Sequence, residues 1–172
     1  MRVLIIGAGG VGSAMARTAI KWNLFERVVV ADYDKQRAKR AIADGGDRFV
    51  AYKLDGSDED AIVALIKSEK VDAVVNALDP RFVMSVFRAA FTAGATYLDM
   101  AMSLSHPHPA DPYRTPGVKL GDEQFAMADQ WIERGLMALC GIGVEPGLSD
   151  VFARYATDKL FSTIDENNLS DA

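Results

Sequence analysis

The chain has little cysteine and no long apolar run, which are the features that define disulfide-rich and membrane proteins. It contains one cysteine, Cys140, among 172 residues, so no intramolecular disulfide can form, which is typical of a reducing compartment. No apolar run approaches the roughly 20 residues that a membrane-spanning helix needs. The apolar run at residues 3–6 is too short for the core of a signal peptide. These absences predict a cytoplasmic protein that does not enter a membrane.

Positive charge and histidine are also scarce. The chain has 19 Lys and Arg against 24 Asp and Glu, a formal net charge of −5, which disfavours binding to a phosphate backbone by bulk charge. The only histidines, His106 and His108, lie on either side of Pro107 and have no third ligand for a metal site. We therefore expect no nucleic-acid partner and no metal.

Short apolar runs alternate with helical patterns along most of the chain, which is typical of an α/β protein with a parallel sheet. Prolines interrupt this alternation between residues 103 and 120. Right-handed crossovers leave few topologies, so we expect a Rossmann-type, doubly wound sheet of six strands in the order 3-2-1-4-5-6. The predicted strands lie at residues 3–6, 27–31, 49–54, 71–78, 97–101 and 136–140.

Two of the predicted helices carry further signals. In the first, four apolar residues spaced three or four apart predict one face turned toward the sheet. These residues are Val11, Met15, Ala19 and Trp22. Ahead of the third helix, Ser57 and Asp60 have the spacing of a capping box, which predicts that Ser57 caps the first turn.

Residues 7–12 read Gly-Ala-Gly-Gly-Val-Gly and match the dinucleotide-binding pattern G-x-G-x-x-G. The segment follows a predicted strand, opens a predicted helix and precedes Asp32 by twenty residues, which strengthens the match. Gly7 would allow the tight turn, Gly9 the approach of a diphosphate, and Gly12 the close packing of helix on strand. Backbone amides at the helix start would bind the phosphates. The residues assigned to this contact are Gly7, Gly9, Gly10, Val11 and Gly12.

Asp32 ends the second predicted strand, where a carboxylate can accept hydrogen bonds from both hydroxyl groups of the adenosine ribose. Its charge would repel a 2′-phosphate, so Asp32 favours NAD over NADP. Lys35 and Arg37 leave NADP open, because either could reach a 2′-phosphate. The alternative for both is a solvated helix face.

Two further strand ends supply candidates for the coenzyme site. Asp55 closes the third strand, where it could reach the adenine or form an Asx turn with Gly56. Asn76 and Ala77 close the fourth strand, beside the point at which the strand order reverses and ligands of open α/β sheets bind. An ordinary strand-end hydrogen bond is the alternative role for Asn76.

Chemistry is expected at the ends of strands four to six, because a dinucleotide held on the first helix extends in that direction. Asp99, Cys140 and His106 are the candidate catalytic side chains there. The alternative for Asp99 is a solvated strand-end acid, and the alternative for Cys140 is a buried, inert thiol. His106 is a candidate because it lies on a long loop over the cleft.

These motifs together resemble the saccharopine dehydrogenase-like family, which includes saccharopine reductases, lysine 6-dehydrogenases and carboxynorspermidine dehydrogenases. The resemblance rests on residues 7–12, on Asp32, on Tyr-Leu-Asp at 97–99 and above all on Gly-x-x-Pro-Gly-Leu-Ser-Asp at 143–150. It implies an NAD(P)-dependent oxidoreductase of amino-acid metabolism that reduces an imine or runs the reverse oxidation of a C–N bond.

The turn in this last motif predicts a substrate-lining segment formed by Glu145, Pro146 and Gly147. Glu145 and Asp99 could bind an ammonium group of the substrate. The helix that begins near Leu148 could receive a substrate carboxylate at its amino end. An ordinary strand–turn–helix connection is the alternative.

The resemblance covers residues 1–161, the predicted NAD(P)-binding domain, and leaves a polar tail at 162–172 where the family's substrate-binding and dimerising domain would begin. We therefore expect a piece of a homodimeric enzyme that acts on a small amino-acid-type substrate. The alternative is a stand-alone NAD(H)-sensing module without catalysis. A third possibility is another two-domain dehydrogenase of the homoserine dehydrogenase or dihydrodipicolinate reductase type.

Overall fold

Six parallel strands form one sheet in the order β3-β2-β1-β4-β5-β6, which confirms the predicted topology. The computed structural model describes residues 1–161, so the predicted tail at 162–172 lies outside the described residues. The strands are β1 (Arg2–Ile6), β2 (Arg27–Asp32), β3 (Phe49–Lys53), β4 (Ala73–Asn76), β5 (Thr96–Asp99) and β6 (Ala138–Leu139).

Seven α-helices occur between residues 1 and 161. They are α1 (Gly10–Lys21), α2 (Lys35–Ala41), α3 (Glu59–Glu69), α4 (Val83–Ala93), α5 (Asp122–Phe125), α6 (Ala128–Glu133) and α7 (Leu148–Tyr155). A 3-10 turn (Pro80–Phe82) leads into α4, as expected for a helix that opens at a proline, and a π-helical turn (Ala156–Leu160) continues α7.

The core consists of two apolar layers, one on each face of the sheet. In β1, Leu4 and Ile6 pack in the layer that contains residues of α3 and α4, while Val3 and Ile5 pack in the layer that contains residues of α1 and α2. All four side chains are buried, because a central parallel strand is covered on both faces. Each contributes about 1.5–3 kcal/mol to stability.

The cap of α3 differs from the prediction. Asp58 is the capping residue, and its carboxylate accepts a hydrogen bond from the Ala61 amide at 3.0 Å. Ser57 donates its amide and its hydroxyl to Asp55 Oδ1, at 2.9 and 2.7 Å. The prediction for Ser57 was wrong because Asp55 binds its hydroxyl and the neighbouring Asp58 is an equally good cap.

The apolar face predicted for α1 is only partly turned toward the sheet. Ala19 is buried, but Val11 and Trp22 keep 55% and 58% of their surface exposed. Both line an open apolar groove of about 720 Å³, together with Met15 and Phe25. The spacing correctly predicts that these residues lie on one side of α1. Only part of that side packs on the sheet, and the rest lines the groove.

A cluster of charged and polar side chains ties the last turn of α3 to the sheet. Glu69 accepts hydrogen bonds from the Tyr52 hydroxyl and from Arg27 Nε, the latter at 3.2 Å, and Arg2 Nη2 lies 3.8 Å away. The Tyr52 hydrogen bond is the largest cause that lowers the pKa of Glu69, with further contributions from both arginines. Glu69 is thereby held in its ionised form.

We expect Tyr52→Phe to lower the free energy of unfolding at pH 7 by about 1–2 kcal/mol, because a nearly buried carboxylate loses a hydrogen bond. A carboxyl group with a lowered pKa stabilises the fold at pH values above its ordinary pKa, which is 4.5 for Glu69. This contribution disappears as the pH falls through the lowered pKa. Urea denaturation should therefore show a difference from the parent that shrinks below that pH. Tyr113→Phe changes a fully exposed tyrosine and is the control. A loss that is equal at all pH values would contradict the assignment.

Candidate dinucleotide site

The glycine-rich segment forms a tight turn between β1 and α1. Gly7 has a φ of +101°, and a Cβ atom on it would lie 2.6 Å from the carbonyl oxygen of Ala77. A Cβ atom on Gly12 would lie 1.7 Å from the carbonyl oxygen of Gly7. Close contacts between backbone atoms therefore require glycine at both positions, as the pattern predicts.

Gly9 and Gly10 occupy a different environment. A Cβ atom on either would meet no atom within 4 Å, so both face open space at the amino end of α1. Gly9 is the capping residue and has no side chain that could accept a hydrogen bond from the helix. The first amides of a helix lack intrahelical acceptors and carry the positive end of the helix dipole. This arrangement fits a diphosphate, whose oxygens could accept these hydrogen bonds.

Asp32 connects the glycine-rich loop to the end of β2. Its Oδ2 accepts a hydrogen bond from the Ala8 amide and its Oδ1 from the Asp34 amide, both at 2.8 Å. The carboxylate is buried, and Arg37 Nη1 lies 3.8 Å from Oδ2. Each carboxylate oxygen has a second lone pair, so Asp32 can still accept hydrogen bonds from ribose hydroxyls. Lys35 lines a shallow depression against β3 instead.

The other three predicted coenzyme residues have assigned partners in the structure. Asp55 forms an Asx turn, and the hydrogen bonds from Ser57 lower its pKa. Asn76 is buried; its Nδ2 donates to the Tyr97 hydroxyl at 3.2 Å, and its Oδ1 accepts from the Leu78 amide at 3.1 Å. The Ala77 amide donates to Ile6 at 2.8 Å. The contacts of Asp55, Asn76 and Ala77 with a coenzyme stay predictions.

A second buried carboxylate organises the far end of the sheet. Asp99 has no exposed surface, so it is not the solvated acid considered above. Its Oδ2 accepts hydrogen bonds from the Tyr97 hydroxyl and Gln124 Nε2, at 2.9 and 2.7 Å. Its Oδ1 accepts from the amides of Gly141 and Met102, at 2.8 and 3.2 Å. These bonds hold the segments that follow β5 and β6 together.

Gln124 is a site residue for which the sequence gives no signal. It is buried in the four-residue helix α5, and its Nε2 donates to both Asp99 and Cys140, the latter at 3.3 Å. Its Oε1 accepts from the Ser103 amide at 2.8 Å. A helix this short has no periodicity, so nothing marks Gln124 as buried.

Two of the candidate catalytic side chains, Cys140 and His106, line different cavities. Cys140 is half-buried and lines an apolar cavity with Phe87 and Trp131. Burial, and to a lesser extent the Asp99 charge, raise the pKa of Cys140 to about 12, so its thiol is protonated at neutral pH and a poor nucleophile. His106 lines a different cavity, beside α4. A direct role for any of the three in catalysis stays a prediction.

The predicted substrate-lining segment forms a compact turn before α7. Gly147 has a φ of +129°, and a Cβ atom on it would lie 2.3 Å from the carbonyl oxygen of Gly143. The Gly147 amide donates to Asp150 Oδ2 at 2.8 Å. Glu145 is exposed, while Pro146 is partly buried. The helix begins at Leu148, as predicted, and the segment stays a candidate for substrate contact.

Residues 1–161 contain neither a metal-binding cluster nor a membrane-spanning helix. No group of three or more His, Cys, Asp or Glu side chains is arranged to hold a metal ion there. In the same part of the chain, no helix combines the length and the apolar character needed to cross a membrane. His108 instead accepts hydrogen bonds at Nδ1 from the amides of Ala110 and Asp111, at 3.3 and 3.1 Å.

The fold and the loop geometry define a dinucleotide-binding Rossmann domain. Residues 3–139 match the family model described as the saccharopine dehydrogenase NADP binding domain. The chain belongs to this family, which confirms the resemblance found in its motifs and gives NAD(P) as its class of coenzyme.

Individual relatives agree with this assignment. A carboxynorspermidine synthase from Vibrio alginolyticus is 30% identical over 181 residues, which cover 99% of this chain and 43% of that protein. A carboxyaminopropylagmatine dehydrogenase from Synechocystis is 29% identical over 173 residues, which cover 99% of this chain and 41% of that protein. The chain therefore spans less than half the length of these curated relatives. Apo saccharopine dehydrogenase from Saccharomyces cerevisiae shares the fold, with a TM-score of 0.69 and 18% identity over 94% of this chain and 31% of that chain.

Substitution by alanine should have different effects at the glycines in close contact with backbone atoms and at those that face open space. We expect Gly12→Ala to lower the free energy of unfolding by about 3 kcal/mol, because its Cβ atom would overlap the Gly7 carbonyl group. Gly10→Ala should not destabilise the fold, because its methyl group enters open space, but it should weaken NADH binding. Thermal denaturation and a fluorescence titration with NADH measure the two effects. Parent-like NADH affinity in Gly10→Ala would contradict the placing of the diphosphate.

Proposed function

We propose that this chain is the coenzyme-binding part of an NAD(P)-dependent oxidoreductase that acts on a C–N bond of a small amino-acid-type substrate. The observation that carries the proposal is the amino end of α1, free of side chains at Gly9 and Gly10, in a member of the saccharopine dehydrogenase NADP-binding family. A relative named as a dehydrogenase supports the oxidoreductase class.

The chain itself contributes binding and orientation. A nicotinamide coenzyme, when bound, supplies or accepts the hydride. Hydride transfer requires the reacting carbons at near-attack distance, about 3–3.5 Å, rather than a nucleophile. The amides at the start of α1 would hold the diphosphate, and Asp32 would hold the ribose. Asp99 would act as a positioning residue, because it binds the amides of Met102 and Gly141 on two segments that would lie nearest the reacting end.

The turn before α7 is our candidate for substrate contact. The exposed Glu145 carboxylate could attract an ammonium group, and the amino end of α7 could attract a carboxylate. Pro146 and Gly147 would supply a rigid backbone beside them. We infer that the rest of the substrate pocket comes from other parts of the whole protein, which we expect to be a cytoplasmic homodimer.

Asp32 and Arg37 should set the choice of coenzyme, with NAD preferred. We expect Asp32→Ala to weaken NADH binding by about tenfold or more, because ribose hydroxyls lose a charged acceptor, and to affect NADPH much less. Arg37→Ala should weaken NADPH binding more than NADH binding, because a 2′-phosphate near Asp32 would lose the cation that lies 3.8 Å from that carboxylate. Calorimetry with both coenzymes measures the ratio. Asp32 also binds the Ala8 amide, so the thermal stability of each variant is the control. An unchanged ratio of affinities would contradict the assignment.

The reaction class is tested with a longer polypeptide from the same gene. We expect turnover of NAD or NADP with lysine, saccharopine or a related amino acid, followed by the absorbance of the reduced coenzyme. The Gly10→Ala variant of that polypeptide should raise the KM for the coenzyme. Coenzyme binding without turnover of any of these compounds would instead favour the NAD(H)-sensing module.

A further inference from the structure

The two faces of the sheet are covered unequally over β4 and β5. Successive side chains of a strand point to opposite faces. Val74 of β4 and Tyr97 of β5 have no exposed surface and lie in the layer to which α3, α4 and α6 contribute. Their neighbours Val75 and Leu98 face the layer of α1 and α2 and are only partly buried. Because a parallel sheet is normally covered on both faces, the α1 side of β4 and β5 lacks a covering element within residues 1–161.

This uncovered part of the sheet adjoins the groove along α1. A second apolar cavity, of about 200 Å³, is lined by Val75, Leu98 and Ile142, and it shares Met15 and Phe25 with the groove of about 720 Å³. We call the residues that line the two cavities the α1 surface. The groove follows α1 over its twelve residues, which is about 18 Å at about 1.5 Å per residue. The surface is therefore long enough for a helix of three turns.

The outer rim of the α1 surface is apolar and open to solvent. Val11, Trp22 and Leu24 each expose more than half of their surface. A contiguous apolar patch of this kind marks a site of contact with another segment or protein. An element that covers a parallel sheet beside an existing helix is itself a helix in α/β folds. The occupant is thus expected to be a helix with one apolar face.

Charge narrows the choice of occupant. Arg17 and Lys21 are exposed and four residues apart, so they lie together along one flank of the groove, and α1 contains no acidic residue. A helix with Asp or Glu beside its apolar face would pair with this flank. A symmetric contact between two copies would instead bring two positive flanks together. The charges therefore favour an acidic amphipathic helix over a second α1 surface.

We propose that the α1 surface binds an amphipathic helix of the same protein, from outside these 172 residues, with acidic side chains on one flank of its apolar face. The carboxynorspermidine synthase from Vibrio alginolyticus is covered over 43% of its length, so more than half of a protein of that size would be available to supply the helix. The inference goes beyond the proposed function and does not depend on coenzyme binding.

The first test compares this chain with a longer polypeptide from the same gene, both without coenzyme, by hydroxyl-radical labelling and peptide mass spectrometry. The two tryptophans of the chain are the probes, because Trp22 is 58% exposed and Trp131 is 3% exposed. We expect the labelling of Trp22 to fall at least about fivefold in the longer polypeptide, because docking would bury its ring. Trp131 is the internal control and should be labelled slowly in both.

The second test identifies the occupant. A carbodiimide joins an ammonium group to a carboxylate that touches it, so Lys21 should become linked to an Asp or Glu outside the 172 residues, within one polypeptide. Lys67 is the matched control, because it is also exposed and in the last turn of its helix, α3, on the other face of the sheet. In the longer polypeptide, Lys21→Glu should raise the labelling of Trp22, whereas Lys67→Glu should leave it unchanged.

Three results would overturn the proposal. The first is equal labelling of Trp22 in the two polypeptides. The second is protection of Trp22 only at concentrations at which the molecules self-associate, which would assign the α1 surface to a second copy. The third is protection of Trp22 without a link from Lys21 to an acidic residue outside the chain. A separate NADH titration keeps the two proposals apart, because a loss of coenzyme binding bears on the proposed function alone.

Discussion

The hydrogen bond between the Ala8 amide and the Asp32 carboxylate, 2.8 Å long, fixes the glycine-rich loop against the neighbouring strand. The loop leaves no room for side chains at two positions, because a Cβ atom on Gly7 would overlap the Ala77 carbonyl group and one on Gly12 would overlap that of Gly7. The amides of α1 are therefore held in place by main-chain contacts and one buried carboxylate. Phosphate binding of this kind needs no lysine, which is consistent with an acidic chain.

The other end of the sheet repeats this construction. Asp32 ends β2 and binds an amide after the adjacent β1, while Asp99 ends β5 and binds the Gly141 amide after the adjacent β6. In both places a buried carboxylate at a strand end holds the loop of the next strand. Hydrogen bonds to a charged group contribute about 1.5–3 kcal/mol each, so the two carboxylates stabilise the observed conformations of both loops. A coenzyme that spans the sheet would thus rest on two fixed loops.

Features of the fold and the site that arise from local sequence patterns could be predicted from the sequence, whereas features that depend on tertiary packing could not. The strand order and the glycine geometry follow from periodicity and from close backbone contacts, which short motifs report directly. The choice of Asp58 over Ser57 as a cap depends on which acceptor Ser57 binds, and the spacing does not contain that information. The exposure of Trp22 and the burial of Gln124 depend on what packs around them in three dimensions.

Coenzyme binding and turnover depend on different parts of the molecule. Every residue that we assign to the coenzyme lies between residues 7 and 77, and so does Asp32, whose carboxylate holds the loop. Coenzyme binding can therefore be measured with this chain alone. The turn before α7, our candidate for substrate contact, is different, because the neighbouring apolar side chains Val144 and Phe152 remain 73% and 63% exposed. The chain spans less than half the length of its curated relatives, and the contacts that hold its glycine-rich loop all come from its own residues. Absence of turnover by this chain would therefore count against neither the coenzyme site nor the reaction class.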